Sequence, residues 1–275
     1  MSFKEKIFIA GCSVLFIGVF LAQDFFVKLK SRIIFCDVGQ GDGAFINLEG
    51  GTPFFAKATN GTQIVVDGGP DNKMIGCVGK HMPYFDRRVE YLIISHPDKD
   101  HFVGVIEILK RYAVNKIIVN GDGSDTPEYK EFLRLAGDRL FKADDIDLPG
   151  GKIDFLDTGY QSASASNNNS RSLVFKFSYA GKSIIFTGDA PKEIEENLIK
   201  SKVDLRSDIL KVSHHGSKES SILEFLKAVA PRLAVISVGA DNTFGHPAYR
   251  VIKNLENAGI KYLRTDEAGD IVIKF

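Results

Sequence analysis

The chain has 275 residues, 44% hydrophobic and 25% charged, and its 35 basic and 35 acidic side chains cancel to a formal net charge of zero. That balance is the one of an ordinary globular protein with a sizeable core, in one large domain or two small ones. It lacks the positive field that draws nucleic acid from a distance, which leaves only a local basic groove (Lys211, Lys218, Arg232, Arg250, Arg264) for such a partner, against the plainer reading of an evenly solvated surface. Three cysteines, Cys12, Cys36 and Cys77, cannot all pair, and none stands beside a histidine motif. They do not read as a disulfide framework or a zinc finger. Cys36, inside "RIIFCDV", reads as a small buried hydrophobe.

Taken in chain order, residues 7–22, "IFIAGCSVLFIGVFLA", carry no charged side chain. As a helix this run is about 24 Å long, a little short of a hydrocarbon core of roughly 30 Å. Phe20 and Ala22 do not form a small-x-small cleavage site, and most of the run follows Cys12 of the lipoprotein-like "IAGC". Residues 1–27 are therefore expected to be an uncleaved membrane anchor. Lys4 and Lys6 precede the run while Lys28, Lys30 and Arg32 follow it, so the positive-inside rule gives no orientation. An export signal at the extreme amino terminus favours a domain on the extracytoplasmic side.

From residue 28 to 275 a single domain is predicted. "RIIFCDV", "GAFINL" and "TQIVVDGG" are strands separated by glycine turns, and "VEYLIIS" and "NKIIVN" are strands flanking a helix at 102–112. "EYKEFLRLAG" is a helix. "KIDFLD", "SLVFKF" and "KSIIFTGD" are strands, followed by the helix "KEIEENLIKS". "DILKVS", "LAVISVG" and "DIVIKF" finish the strand set, with helices near 219–229 and 247–258, and "SASASNNNS" at 162–170 is a polar loop. Two strand-rich halves, each with helices, predict an α/β architecture of two packed sheets with helices outside.

The chemistry concentrates where "VEYLIIS" runs into "SHPDKDH" at 95–101. A lone aspartate after a strand is ordinarily a helix cap, and Asp100 alone would be one. His96, Asp98, Asp100 and His101 place four metal-binding side chains within six positions on one turn, which capping does not explain. A second histidine pair follows in "SHHGS" at 213–217. A two-metal hydrolase is built from such parts.

Eight strings in order carry a resemblance: "DVGQGDG" (37–43), "VVDGG" (65–69), "SHPDKDH" (95–101), "NSRSLV" (169–174), "TGD" (187–189), "KVSHHGS" (211–217), "GHP" (245–247) and "RTDEAGDIVI" (264–273). Together they resemble the metallo-β-lactamase-fold domain of ComEC-type competence proteins over nearly all of residues 31–275. The resemblance implies a four-layer αββα sandwich with a dinuclear site for two divalent ions, Zn²⁺ or Mn²⁺. It gives His96 and Asp98 to one ion, and Asp100, His101 and one histidine of the 214–215 pair to the other. Asp189 would bridge both, and Asp100 would also act in catalysis. His215 is preferred to His214 by the alternation of a strand end; both are also open to a structural role.

The chain departs from the wider superfamily at two positions where histidine is usual, Asp98 and Asn169. The first site is therefore oxygen-rich, and β-lactam hydrolysis is not expected. Two such ions would share a hydroxide and steady charge on a phosphoryl oxygen. His246, in "NTFGHP", is a candidate general acid or oxyanion donor, or a turn residue before Pro247. Asp37, Asp42 and Asp67 either support ligand histidines or form ordinary turns. Ser217, Asn242 and Thr243 are candidates to bind a phosphate, and Phe244 and Tyr249 to stack on a base or to pack in the core. The expected function is a membrane-tethered phosphodiesterase, with DNA implied as substrate and a smaller phosphodiester or lipid-like headgroup as alternatives. A separate channel protein is a candidate partner, and the sequence leaves open whether the enzyme works alone or beside one. The competing reading is a membrane-tethered binding module that keeps the fold without the metals.

Overall fold

The computed structural model describes residues 30–49, 61–83, 86–120, 123, 125–159 and 168–275. The anchor expected over 1–27 lies outside these residues, as does most of the polar loop. Among the described residues no helix is long and apolar enough to cross a membrane.

β1 (Arg32–Phe35), β2 (Ala44–Leu48), β3 (Thr62–Val66), β4 (Arg88–Ile94), β5 (Ala113–Val119) and β6 (Leu140–Phe141) follow one another across the first sheet. β7 (Ile146–Leu148), β8 (Gly151–Phe155), β9 (Phe175–Tyr179), β10 (Lys182–Phe186), β11 (Ile209–Lys211), β12 (Leu233–Ile236) and β13 (Lys261–Arg264) do so across the second. β14 (Ile271–Lys274) returns to the first sheet beside β1. Each sheet changes from antiparallel to parallel partway across. The parallel pairs are β3–β4–β5–β6 in one and β10–β11–β12–β13 in the other.

Period-two alternation explains the layers. In β1, Ile33 and Phe35 point at the second sheet and join Ile46, Ile64, Phe175, Phe177 and Phe186 between the sheets. Ile34 and Cys36 point the other way, onto Met74 and Val78 of the helix Lys73–His81 and Val105 of the helix Val105–Arg111. Ile185 and Leu210 of the second sheet meet Ile194 and Leu198 of the helix Lys192–Lys200, and Leu226 and Leu255 beyond it. Helices thus cover both outer faces, as the alternating pattern predicts.

Several sequence expectations change, and the helix Lys73–His81 and the short strands β6 and β7 were not among the expected elements. The helix expected at 102–112 is two helices, Lys99–Phe102 and Val105–Arg111. Gly104 lies at the break, and a Cβ there would collide with the carbonyl oxygen of Gly68, so this glycine lets the "SHPDKDH" turn lie against the "VVDGG" turn. β13 was not expected, because its residues are half-buried or exposed at a sheet edge and carry no apolar run. Cys36 is not a lone hydrophobe: it forms a disulfide with Cys77, with Cα atoms 6.0 Å apart. The alternation that turns Cys36 towards the helix Lys73–His81 brings these two together, a proximity that only the tertiary fold provides.

Candidate metal centre

The carboxyl ends of the parallel strands meet along one edge, and each delivers a side chain to one spot. β3 ends in Asp67, whose carboxylate accepts Ser95 N at 2.7 Å and Ser95 Oγ at 2.9 Å. That clasp fixes the exit of β4 just before His96. Asp98 occupies the position before the helix Lys99–Phe102 but makes no side-chain cap. Its carboxylate instead lies 3.5 Å from His96 Nε2 and accepts Asn168 Nδ2 at 2.6 Å. Asp100 points inward, with Oδ2 3.3 Å from His215 Nε2 and 3.9 Å from His101 Nε2.

The second sheet supplies the other half. After β10, Asp189 N donates to Ser172 Oγ at 3.0 Å. The Asp189 carboxylate lies 3.3 Å from His101 Nε2 and 3.7 Å from His215 Nε2 through Oδ1, and 3.6 Å from His214 Nε2 and 3.9 Å from His96 Nε2 through Oδ2. The ligand atoms of Asp100, His101, Asp189 and His215 all lie within 4.8 Å of one another.

Three histidines have one ring nitrogen engaged and the other not. His101 Nδ1 meets Asp67 Oδ2 at 3.1 Å; His215 Nδ1 meets Ser237 O at 3.0 Å and Asp42 Oδ1 at 3.2 Å; His96 Nδ1 meets Ser95 Oγ at 3.1 Å. Their Nε2 atoms and Asp189 Oδ1 are buried without a hydrogen-bond partner. A buried polar atom without a partner costs about 1–3 kcal/mol, and four of them converging is the arrangement a cation satisfies. Imidazole and carboxylate together, without thiolate, suit a divalent ion such as Zn²⁺ or Mn²⁺. The residues fit the group.

Electrostatics agrees. Burial opposes charge on His101 and His215, but Asp189 with Asp67, and Asp189 with Asp42, outweigh it. His101 is raised well above its ordinary value and His215 to about 10. Burial likewise opposes ionisation of Asp189, yet His101 and His215 hold it well below the carboxylate range. His96 beside Asp98 lowers that carboxyl too. His96, His101, Asp189 and His215 are buried while Asp98 and Asp100 are partly exposed, so the centre opens to solvent on the Asp98–Asp100 side.

The remaining sequence candidates divide. His246 stands at the rim, its ring centroid 5.6 Å from that of His214 and 6.4 Å from that of His215. Burial, then His215 and His214, push its pKa down to about 4. Asn242 is a loop brace: Nδ2 donates to Gly239 O and His246 O, each at 2.8 Å, and Oδ1 accepts His246 N at 3.0 Å. Ser217 is buried and its hydroxyl accepts Glu219 N at 3.3 Å. Thr243 and Phe244 are exposed on the same loop, Phe244 stacked on His246 with centroids 5.8 Å apart, and Tyr249 is 75% exposed, so neither aromatic packs in the core. Asp37 forms a turn, its Oδ1 accepting Gly39 N at 3.1 Å. Asn169 opens a short 3₁₀ turn, and it is the neighbouring Asn168 that reaches Asp98. Lys211 is not a surface cation: it is 3% exposed and its ammonium lies 2.8 Å from Asp42 Oδ1. A lysine within the apolar "DILKVS" was the available signal for it. Nothing in the run "NNNS" singles out Asn168.

The sequence pattern of the Metallo-beta-lactamase superfamily matches residues 50–240. "ComE operon protein 3" of Bacillus subtilis (strain 168) is 33% identical over 196 residues, covering 69% of this chain and 25% of that protein. "Competence protein ComA" of Neisseria gonorrhoeae is 34% identical over 184 residues, 66% of this chain and 25% of that protein. The chain thus spans about a quarter of the length of these relatives. Igni18, a metallo hydrolase from Ignicoccus hospitalis KIN4/I, superimposes with a TM-score of 0.51 at 15% identity, covering 89% of this chain and 99% of that one, a likeness of fold.

Proposed function

The chain belongs to the metallo-β-lactamase superfamily, and from its metal centre we propose that it is a membrane-tethered, metal-dependent phosphodiesterase with DNA as its first candidate substrate. The observation that carries this is the convergence of four buried, partnerless atoms, Nε2 of His96, His101 and His215 and Oδ1 of Asp189, between the partly exposed carboxylates of Asp98 and Asp100.

His96 and Asp98 would hold one divalent ion, Asp100, His101 and His215 a second, with Asp189 shared between them. Two such ions supply Lewis acidity to a phosphoryl oxygen and lower the pKa of water at neutral pH. The chain's own residues do the rest. Asp67 accepts a hydrogen bond from His101 Nδ1 and the Ser237 carbonyl one from His215 Nδ1, with the Asp42 carboxylate beside the latter, and so both Nε2 lone pairs are kept inward. Asn242 fixes the main chain at His246, whose imidazole is neutral near pH 7 and offers a hydrogen bond to the phosphoryl or departing oxygen. Its Nδ1 is buried and unpartnered, so Nε2 or Nδ1 is free for that task.

Phe244, 70% exposed beside His246, gives a nucleobase a face to stack on, which favours nucleic acid over a simple headgroup. The resemblance to competence proteins, one of which carries that word in its name, makes DNA the first polymer to test. The uncharged run 7–22 supports the tether, and the Cys36–Cys77 disulfide supports an oxidising, extracytoplasmic setting. Replacing His101 by Ala should abolish hydrolysis of bis(p-nitrophenyl) phosphate while circular dichroism stays that of the folded protein. Unchanged turnover in that variant would refute the assignment.

A further inference from the structure

The two sheets give the domain two ends of unlike charge. β1, β4, β5 and β6 run parallel to β3 in the first sheet, and β10 to β13 run parallel to one another in the second. Their carboxyl ends meet at the metal centre, so their starts lie together at the opposite end. Contacts between the sheets join them there: Ser31 Oγ lies 3.0 Å from Tyr179 Oη, and Lys182 Nζ donates to Lys274 O at 2.6 Å. A strand such as β4, of seven residues, is about 23 Å long, which sets this end roughly 20 Å or more from the metal centre.

Lysine and arginine gather at the strand starts. Lys30 precedes β1, Arg87 and Arg88 open β4, and Arg111 precedes β5, all exposed. In the second sheet Lys182 opens β10, Arg232 precedes β12 and Lys261 opens β13, exposed likewise. Arg88 and Arg111 have carboxylates near them, Glu90 at 3.9 Å and Glu107 at 3.1 Å, whereas Lys182 spends its ammonium on a carbonyl, which takes no charge from it. The carboxylates at the same strand starts are fewer: Asp86, Asp138 and Asp208, with Glu49 at the end of β2. Of these Asp86 is buried, and Asp208 accepts Ser183 N at 2.9 Å. The other end has the opposite sign, with Asp37, Asp67, Asp189, Asp266 and Glu267 just beyond β1, β3, β10 and β13. A chain of zero net charge is thus polarised along its strands, basic at their starts and acidic around the metal centre.

A basic face of this kind fits a polyanionic surface, either anionic lipid or nucleic acid. The place of Lys30 decides between them. Only residues 23–29 separate it from the uncharged run 7–22, and seven residues span at most about 25 Å. With that run in a bilayer, the strand-start end is the part held near the headgroups, whereas nucleic acid has to reach the far end to be cut. A depression of about 320 Å³ with Tyr179 and Lys182 on its wall opens at the turn between β9 and β10, room for a phosphate headgroup.

We propose that the strand-start end, around Lys182, Arg232 and Lys261, docks on anionic phospholipid headgroups and so turns the metal centre away from the bilayer. The choice of a lipid surface rests on the tether proposed above. Substrate then reaches the centre from water, and the headgroups of the tethering bilayer are not its substrates.

The test is lysine acetylation of the full chain, read by mass spectrometry, on phosphatidylcholine vesicles and on vesicles with phosphatidylglycerol added. Flotation with the phosphatidylcholine vesicles reports the tether separately. The expected result is flotation with both, and acetylation of Lys182 and Lys261 at least about threefold slower on the anionic vesicles, an effect that fades as salt screens it. Lys192 and Lys218, at the metal end, should react at one rate on both. The combined variant Lys182→Glu, Arg232→Glu, Lys261→Glu, checked for folding by its thermal melt, should lose the protection that Lys30 and Lys274 gain. Equal rates at Lys182 and Lys261 on both vesicles, with flotation intact, would overturn the docking face and leave the tether standing. Equal protection of these lysines by a DNA oligonucleotide would overturn the lipid assignment in favour of nucleic acid. Failure to float with phosphatidylcholine would overturn the tether; the docking face then stands only if anionic vesicles, and not the oligonucleotide, still protect Lys182 and Lys261.

Discussion

The six histidines of this chain are used differently, and the difference lies in what each ring nitrogen meets. His96, His101 and His215 spend Nδ1 on a neighbour and keep Nε2 free; His81 lies elsewhere, 3.4 Å from Asp270. His246 sits beside a concentration of positive charge, and bound divalent ions would press in the same direction as His215 and His214 do. With a pKa near 4, it stays neutral through the working range, so it is a hydrogen-bond donor and not an imidazolium acid. The prediction is that kcat/KM shows no limb from His246 between pH 5 and 8, and that His246→Gln lowers turnover by about 10²-fold by a factor independent of pH. A limb near pH 6.5 that vanishes in the variant would contradict this reading.

At the scale of elements, the centre is a junction of strand ends, which also explains what the sequence could and could not tell. "SHPDKDH" was legible because four ligand types within six positions lie on one turn, where spacing in the sequence is spacing in space. The two sheets were legible because apolar strands alternate with amphipathic helices. Asn168 was missed in favour of Asn169, since a 3₁₀ turn decides which of two adjacent amides points inward. Asp42 was legible as a candidate support for a ligand histidine, but its pairing with Lys211, 169 residues away, and that of Cys77 with Cys36, 41 residues away, were opaque because only the packed fold supplies those partners.

Glu195 is another such residue. Fully buried on the helix Lys192–Lys200, it accepts Ser221 N at 2.6 Å and Ile222 N at 2.9 Å, tying that helix to the segment after the histidine turn. Burial raises its pKa from 4.5 to about 7. Because the folded value is the higher one, the stability it contributes is complete below pH 4.5 and is lost as pH rises through 7. The full loss is on the order of 3 kcal/mol. Urea denaturation should find the protein losing stability between pH 5 and 8 relative to Glu195→Gln; parallel curves for the two would contradict the assignment.

For the whole molecule, the Cys36–Cys77 disulfide joins β1 to the helix Lys73–His81 across a separation of 41 residues, immediately before the "DVGQGDG" loop that carries Asp42. A bridge of this span typically stabilises by about 2–4 kcal/mol. Reduction, or the double change Cys36→Ser with Cys77→Ser, should lower Tm, and an unchanged melting curve would mean that the bridge does not constrain the domain. The larger claim is that two packed sheets exist here to hold a pair of metal ions over a phosphodiester. Its most direct test is metal content and turnover together: protein stripped of metal, then supplied with Zn²⁺ or Mn²⁺ and assayed on bis(p-nitrophenyl) phosphate. The account predicts close to two equivalents bound and activity that returns with them. A protein that remains tightly folded, binds no metal and turns over nothing would contradict it and make the domain a binding module.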